Sequence, residues 1–436
     1  MTPGAPAMTD FTTGEMRLDP ARIRQLALEC GADDVGLVEI DRPALDDQRA
    51  DILQFYPRTR TLIALVCRMN REPVRNPARS VANHEFHATG DQADEVGRAI
   101  VRALEQEGIP AINPPIAFPM ESHRWPEKMW VVAHKPVAVA AGLGMMGIHR
   151  NVIHPKFGNF ILLGTVLVGV EASGYDQPVP YNPCLECKLC VAACPVGAIS
   201  ADGHFDLASC YTHNYREFMG GFGDWIEQIA DSRNGLDYRS KVTRTETVSQ
   251  WQSLAYGPNY KAAYCMAVCP AGDDVISPFQ QNRAGFLTEY VKPLQEKVET
   301  LYVIPGSDAE AHARKRFPHK RRKQVRGSLL PGTIAGFLSG IRYTFQREQS
   351  TGLSATYHFT FTGKEPCQAT VTIRDKTLRV EQGHQGKADL TLTADSETWL
   401  GFLAKERSLV WALLRRQIRI QGPPRLLLAF GRCFPS

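Results

Sequence analysis

No apolar run among the 436 residues approaches the roughly 20 residues that a membrane-crossing helix needs. The first ten residues, M-T-P-G-A-P-A-M-T-D, hold neither the apolar core of a secretory signal nor a twin-arginine pair. Charge of one sign is scarce as well. The 50 Lys and Arg stand against 46 Asp and Glu, a formal +4, so nothing global asks for nucleic acid. Cysteine is present, with eleven residues, yet seven of them are bunched in a long chain, which is not the distribution of a small disulfide scaffold. We expect a soluble protein of a reducing compartment, cytoplasmic, with no membrane span and no nucleic-acid partner. The length suits two or three domains.

The stretch Cys184 to Pro195 reads C-L-E-C-K-L-C-V-A-A-C-P, with the spacing C-x₂-C-x₂-C-x₃-C-P. That run wraps a [4Fe–4S] cluster in bacterial two-cluster ferredoxins. Two-residue gaps let Cys184, Cys187 and Cys190 bind three corners of one cube from a tight loop. Cys194 lies round the following turn and by the ferredoxin rule serves a second cluster. A zinc knuckle is the competing reading, but zinc usually takes C-x₂-C pairs separated by a longer spacer. Downstream, C-M-A-V-C-P supplies Cys265 and Cys269, and Cys210 lies between the two runs. Pseudo-symmetry returns Cys269 to the first cluster and leaves the second with Cys194, Cys210 and Cys265. One iron then lacks a thiolate, because the C-x₂-C partner of Cys265 would stand at Ala262. A side chain such as His213 or Tyr264, a solvent species, or a three-iron cluster would each complete the count.

Residues 1–17 read as a disordered leader. Asp19-Pro20 starts a helix with Ile23, Leu26, Ala27 and Cys30 on one face, and Gly31 ends it. Val35 to Ile40 reads as a strand, and Arg60 to Met69 as a strand buried on both faces. A helix from Asp91 to Glu107 follows, then a proline-rich ordered loop from Asn113 to Pro126, and a strand from Phe160 to Val170. Alternating strands and helices give an α/β layer domain over 18–175. Within it Gly142, Gly144 and Gly147 match G-x-G-x-x-G, yet they follow an Ala-rich helical stretch, so a Rossmann nucleotide site is not expected; close backbone packing in a turn is the alternative.

An α/β domain, then A-G-L-G-M-M-G (141–147), then the cysteine run and a second C-x₃-C-P resembles the corrinoid iron–sulfur reductases, which are the reductive dehalogenases and epoxyqueuosine reductase. The resemblance covers about residues 20–275. It implies a nitroreductase-like domain over 18–175 that holds cobalamin base-off. It also implies a two-[4Fe–4S] ferredoxin module over 176–310 and an external one-electron donor such as a ferredoxin, a flavodoxin or a reductase. By the same resemblance Gly142, Leu143, Gly144 and Gly147 lie against the corrin, with His149, His154 and Asn159 near it. His87, His149 and Arg150 are the candidate catalytic proton donors.

Three positions depart from those families. A D-Y-H-like motif is replaced by Glu85-Phe86-His87; an acidic residue expected ahead of A-G-L-G has only Lys128 and His134-Lys135 near its place; and Ile148 stands where Lys or Arg is usual. Phe86 and Ile148 can neither donate a proton nor polarise a leaving group. His123 and His134 remain as further imidazoles in the region.

Residues 211–262, rich in aromatic and charged side chains, form an insertion in the ferredoxin module. They read as a surface helical hairpin or, alternatively, a cap on the site. The basic run 312–326 reads as a solvated linker over 311–327. Beyond Gly327 the pattern changes. Leu330 to Leu338 suits a helix, and Tyr357, Phe359 and Phe361, then Ala369, Val371 and Ile373, alternate with polar residues as in an antiparallel sheet with one buried face. A-D-L-T-L-T (388–393), helices at 399–404 and 409–414, I-R-I-Q-G (418–422) and a terminal helix at 424–430 resemble the sterol carrier protein type 2 (SCP2) domain, an α+β fold. That resemblance covers 328–436 and implies an apolar tunnel that takes a lipid or sterol. Together these readings give an iron–sulfur, cobalamin-dependent reductase acting on a hydrophobic substrate. The alternative is a non-catalytic electron-transfer protein with a lipid- or partner-binding C-terminal module.

Overall fold

The computed structural model describes residues 17–121, 129–180, 182, 184, 187–217 and 219–435. The expected leader, His123, Lys128 and Phe218 lie outside them, except for Arg17. The first unit is built on a four-stranded sheet in the order Asp34–Glu39, Thr61–Arg68, Ile161–Val168, Ala111–Ile112. All three pairings are antiparallel. The continuous apolar run of the second strand has the expected cause. Ile63, Leu65 and Cys67 pack under the helices Pro20–Glu29 and Arg79–Gln106, while Leu62, Ala64 and Val66 pack under His134–Ala140. A strand sandwiched between two helical layers is apolar at every position, whichever way its neighbours run.

The helix expected from Asp91 begins twelve residues earlier, at Arg79. Its early part carries Phe86, a buried side chain, and His87, both of which matter below.

Two short helices organise the cysteine unit, Leu189–Ala193 and Tyr264–Ala267. Each is entered through a left-handed residue, Lys188 at φ 50° and Ala263 at φ 52°. Left-handed backbone costs a non-glycine residue roughly 1–2 kcal/mol, so its recurrence marks a repeated loop that the surroundings impose. The repeat sets Ala262 in the place of Cys187, three residues ahead of Cys265 as Cys187 is ahead of Cys190.

The insertion forms the helices Gly220–Ala230, Gly235–Lys241 and Arg244–Tyr256. Their outer faces leave Ile226, Trp251 and Leu254 exposed, as a surface hairpin would.

The basic run is not a linker. Asp308–Arg316 is a helix capped by the Ser307 side chain, and Arg321–Gln324 is a strand paired in parallel with Thr300–Val303. Ala309 and Ala313 are buried, and so is Lys320, whose Nζ donates to Glu299 Oε1 at 2.6 Å and to the Leu294 carbonyl at 2.8 Å. The basic side chains between them lie on the outer face of a strand–helix–strand unit, where a charge run and a folded element look alike in sequence.

In the last unit five strands stand in the order Thr377–Gln382, Cys367–Arg374, Ala355–Thr362, Leu390–Asp395, Ile418–Gln421. The expected sheet was antiparallel throughout; instead Ala355–Thr362 and Leu390–Asp395 run parallel, and the other pairs are antiparallel. Tyr357, Phe359, Phe361, Val371 and Ile373 face one apolar core, covered by Ile334–Thr344, Ser396–Leu403 and Pro424–Cys433. The unit is docked on the cysteine unit. Asp308 donates its N–H to Gln346 Oε1 at 2.8 Å, its carboxylate accepts from Glu348 N at 2.9 Å and Gln349 Nε2 at 3.1 Å, and Arg347 pairs with Asp202 at 2.9 Å.

Candidate active site

The thiols fall into two neighbouring groups. Cys190 lies within electrostatic reach of Cys265, Cys269, Cys187 and Cys184, and Cys269 within reach of Cys187, Cys184 and Cys265, so Cys265 adjoins both groups. The second group joins Cys194, Cys210 and Cys265. All seven are free thiols, and burial pushes Cys265 and Cys269 up to about 12. Among the described residues no three Cys, His, Asp or Glu gather as a single-ion site. Two adjoining sets of apolar-bedded thiols, one of four and one of three, suit iron–sulfur cubes, which spread their ligands over four metal corners.

Of the two side chains considered for the missing corner, Tyr264 is committed, since its hydroxyl donates to Glu299 Oε2 at 2.6 Å. His213 is 1 % exposed and its Nε2 has no partner. Arg79, also buried, lies over the Tyr264 ring at 5.5 Å and within electrostatic reach of Cys265. A buried guanidinium there offsets the negative charge of thiolate-bound iron.

The second group forms part of the wall of one large cavity, of about 2410 Å³. Small-molecule sites commonly hold roughly 300–1,000 Å³, so this space has room for a large cofactor and a further ligand together. All three units contribute to its wall.

From the first unit come His87, Lys135, His149, Arg150 and Asn151. Met145–Met146 and Val152–Ile153 form a hairpin whose turn presents the last three of these. His149 Nδ1 accepts from Asn151 N at 3.1 Å, which places the ring proton on Nε2, and that buried nitrogen is unpartnered at the cavity wall. Burial, with Lys135 nearby, lowers His149 to about 4, so it faces the cavity as a neutral donor. His134 is likewise lowered to about 4 by burial, with Nδ1 on Thr165 Oγ1 at 2.8 Å and Nε2 on the Pro115 carbonyl at 3.2 Å; both nitrogens are occupied.

Lys135 answers the absence at Ile148. Its side chain is solvent-accessible yet surrounded by protein, because the accessible surface is cavity wall. Nζ donates to the Arg150 carbonyl at 2.7 Å and Asn151 Oδ1 at 3.0 Å, within electrostatic reach of Cys210 and Cys265. The hydroxyl missing at Phe86 has a counterpart too. Tyr260 stands edge-on to Phe86 at 5.5 Å, Tyr215 edge-on to Tyr260 at 5.6 Å, and both tyrosines line the cavity. Burial raises both phenols, so they keep their protons. Neither Lys135 nor the two tyrosines stood out as site residues in sequence, because each comes from a segment remote from the position it compensates. The ends of the insertion thus cap the cavity, although its middle lies on the surface.

The residues expected against the corrin lie elsewhere than on this cavity. Gly142, Leu143, Gly144, Gly147, His154 and Asn159 are not part of the cavity wall. A Cβ on Gly144, at φ 148°, would stand 2.3 Å from the Ile153 carbonyl oxygen, and one on Gly142 2.6 Å from that of Gln177. Leu143 is core, His154 Nε2 bonds Asp34 at 2.8 Å, and Asn159 donates to the Met266 carbonyl at 3.2 Å. The glycines let backbone meet backbone behind the hairpin. Gly144→Ala is therefore expected to cost stability, about 1–3 kcal/mol in thermal denaturation, while leaving ligand occupancy of the folded fraction unchanged.

Fold and site together define a cysteine-rich α/β protein with a large cavity and a further α+β unit at its end. Residues 342–435 match the family model described as the SCP-2 sterol transfer family. Another part of the chain is similar to epoxyqueuosine reductases. It is 33% identical over 89 residues to that of Vibrio cholerae serotype O1, which is 20% of this chain and 24% of that protein. It is 27% identical over 197 residues to that of Gloeobacter violaceus, 44% of this chain and 56% of that protein. The matches span about a quarter to a third of the first curated relatives. Among solved structures, a catabolic reductive dehalogenase aligns at 15% identity and TM-score 0.39, over 67% of this chain and 34% of that one.

Proposed function

We propose that the protein is an iron–sulfur, cobalamin-dependent reductase acting on a hydrophobic substrate. One observation carries this reading. The three-thiol group, a lysine ammonium and a neutral imidazole N–H all face one cavity that is too large for a single small ligand. The likeness to epoxyqueuosine reductases supports an oxidoreductase, and the SCP2 domain supports an apolar ligand.

The seven cysteines would hold two clusters. His149, Arg150 and Asn151 of the hairpin turn, with Lys135 and His87, would border a corrinoid, which the cavity volume admits and Gly142, Gly144 and Gly147 support only from behind. When bound, the clusters supply single electrons and the corrinoid supplies a strongly reducing metal. The chain's own groups do the rest. Lys135 lies beside Cys210 and Cys265, where its charge favours their thiolates while burial lowers its own pKa. His149 Nε2–H, Tyr215 and Tyr260 are donors that stay protonated at neutral pH. A one-electron donor protein of the ferredoxin or flavodoxin class would feed the clusters.

Anaerobic reconstitution followed by titration with cobalamin tests the reading. A base-off corrinoid spectrum at one-to-one stoichiometry is the expected result. Absence of binding at micromolar concentration leaves the electron-transfer reading, which the apolar Phe86 and Ile148 favour.

A further inference from the structure

The SCP2 domain is often thought of as a carrier with its own closed pocket. Here its apolar interior is not closed. Phe337, Trp399, Phe402, Leu427 and Phe430 line the same cavity that Cys194, Cys210 and Cys265 line from the other side. The helix between them, Ile334–Thr344, packs on Leu207–Asn214, the helix that carries Cys210.

Two further features point to an occupant. Gly340 lies within that helix and on the cavity wall, where a Cβ would meet nothing within 4 Å and φ does not require glycine. Glycine inside a helix costs roughly 1 kcal/mol against alanine, and neither packing nor backbone geometry requires it here, so the space beside it is open. Trp399 is 3 % exposed and lines the cavity, and its buried Nε1–H has no partner. An orphaned buried donor is costly unless a ligand oxygen completes it.

We propose that the cavity is one continuous channel for an elongated apolar molecule bearing an oxygen acceptor, held by its apolar length in the SCP2 domain with one end reaching the three-thiol group. The substrate class is thus a long-chain lipid, an isoprenoid or a sterol, and the SCP2 domain is the substrate-binding half of the site. This rests on the reductase reading for its chemistry, but the channel itself is tested by binding alone.

The experiment uses the full-length, cluster-loaded protein and two palmitate probes, one with a diazirine at the methyl end and one with it near the carboxylate. After illumination the adducts are mapped by peptide mass spectrometry. We expect one probe to label 396–403 or 424–433 and the other to label 207–217 or 258–266. Gly340→Phe should abolish the label on the cysteine side and keep that on the SCP2 side, whereas Gly340→Ala keeps both. Trp399→Phe should weaken palmitate binding about two- to tenfold, the size of one buried hydrogen bond. Labels from both probes confined to 334–435, or a Gly340→Phe protein labelled like the parent, would overturn the channel. Labelling as expected with no cobalamin binding would instead overturn the reductase reading and leave the channel standing.

Discussion

Cys269→Ala should remove the cluster formed by the upstream run Cys184, Cys187 and Cys190, about half of the iron, although it lies some eighty residues away in sequence. Cys265→Ala, only four residues earlier, should remove the other cluster. The ferredoxin spacing motivates the contrast, because it returns Cys269 to the upstream run, and Cys269 is within electrostatic reach of Cys187 and Cys184 as well as of Cys265. Iron analysis and electron paramagnetic resonance of the reduced protein provide the readout. The parent should show one ordinary [4Fe–4S] signal and one that differs, from the group with three thiols. Cys67→Ala is the control; that thiol is buried in the first core and its loss should leave the iron unchanged. If Cys269→Ala and Cys265→Ala silence the same signal, the grouping is wrong. Donor-driven reduction should fall below detection in both variants, since either gap breaks the electron path.

Lys320→Met should destabilise the protein by about 1–3 kcal/mol, the cost of removing one side of a buried pair while Glu299 keeps Lys297 at 3.8 Å and the Tyr264 hydroxyl. Lys320 has a fully buried side chain and pairs with Glu299, which also accepts from Tyr264 beside the second cysteine group. Denaturant unfolding of the reconstituted protein measures the effect. Adding Glu299→Gln to Lys320→Met should recover part of the loss, because the remaining charge goes with it, and the double-mutant cycle isolates the pair. A change below about 1 kcal/mol would mean that this segment behaves as the solvated linker its composition suggests.

The cysteine spacing, the alternation of Tyr357, Phe359 and Phe361, and the continuous apolar run of Thr61–Arg68 are local patterns. A chain states them outright, since the period of a strand and the bite of a cube involve residues a few positions apart. Fold class, the extra thiol missing at Ala262 and the SCP2-like order of elements were legible for that reason. Strand direction was not: the same apolar pattern serves parallel and antiparallel neighbours, so the antiparallel first sheet and the parallel pair in the last one needed the fold. The basic run 312–326 misled because its buried members, Ala313, Phe317, Lys320 and Val325, are separated by exposed charges.

What only the tertiary structure decided is which groups face the cavity. Gly142 and Gly144 match a ligand-cradling spacing but are spent on backbone contacts with Gln177 and Ile153. Lys135 and Tyr260 reach places left apolar by Ile148 and Phe86, from segments that no spacing rule links to them. The reason is physical: a binding site is a surface assembled from distant segments, and the direction of a side chain follows from the packing of whole elements. Spacing within one element records how that element folds, and the space between elements exists only once they have packed.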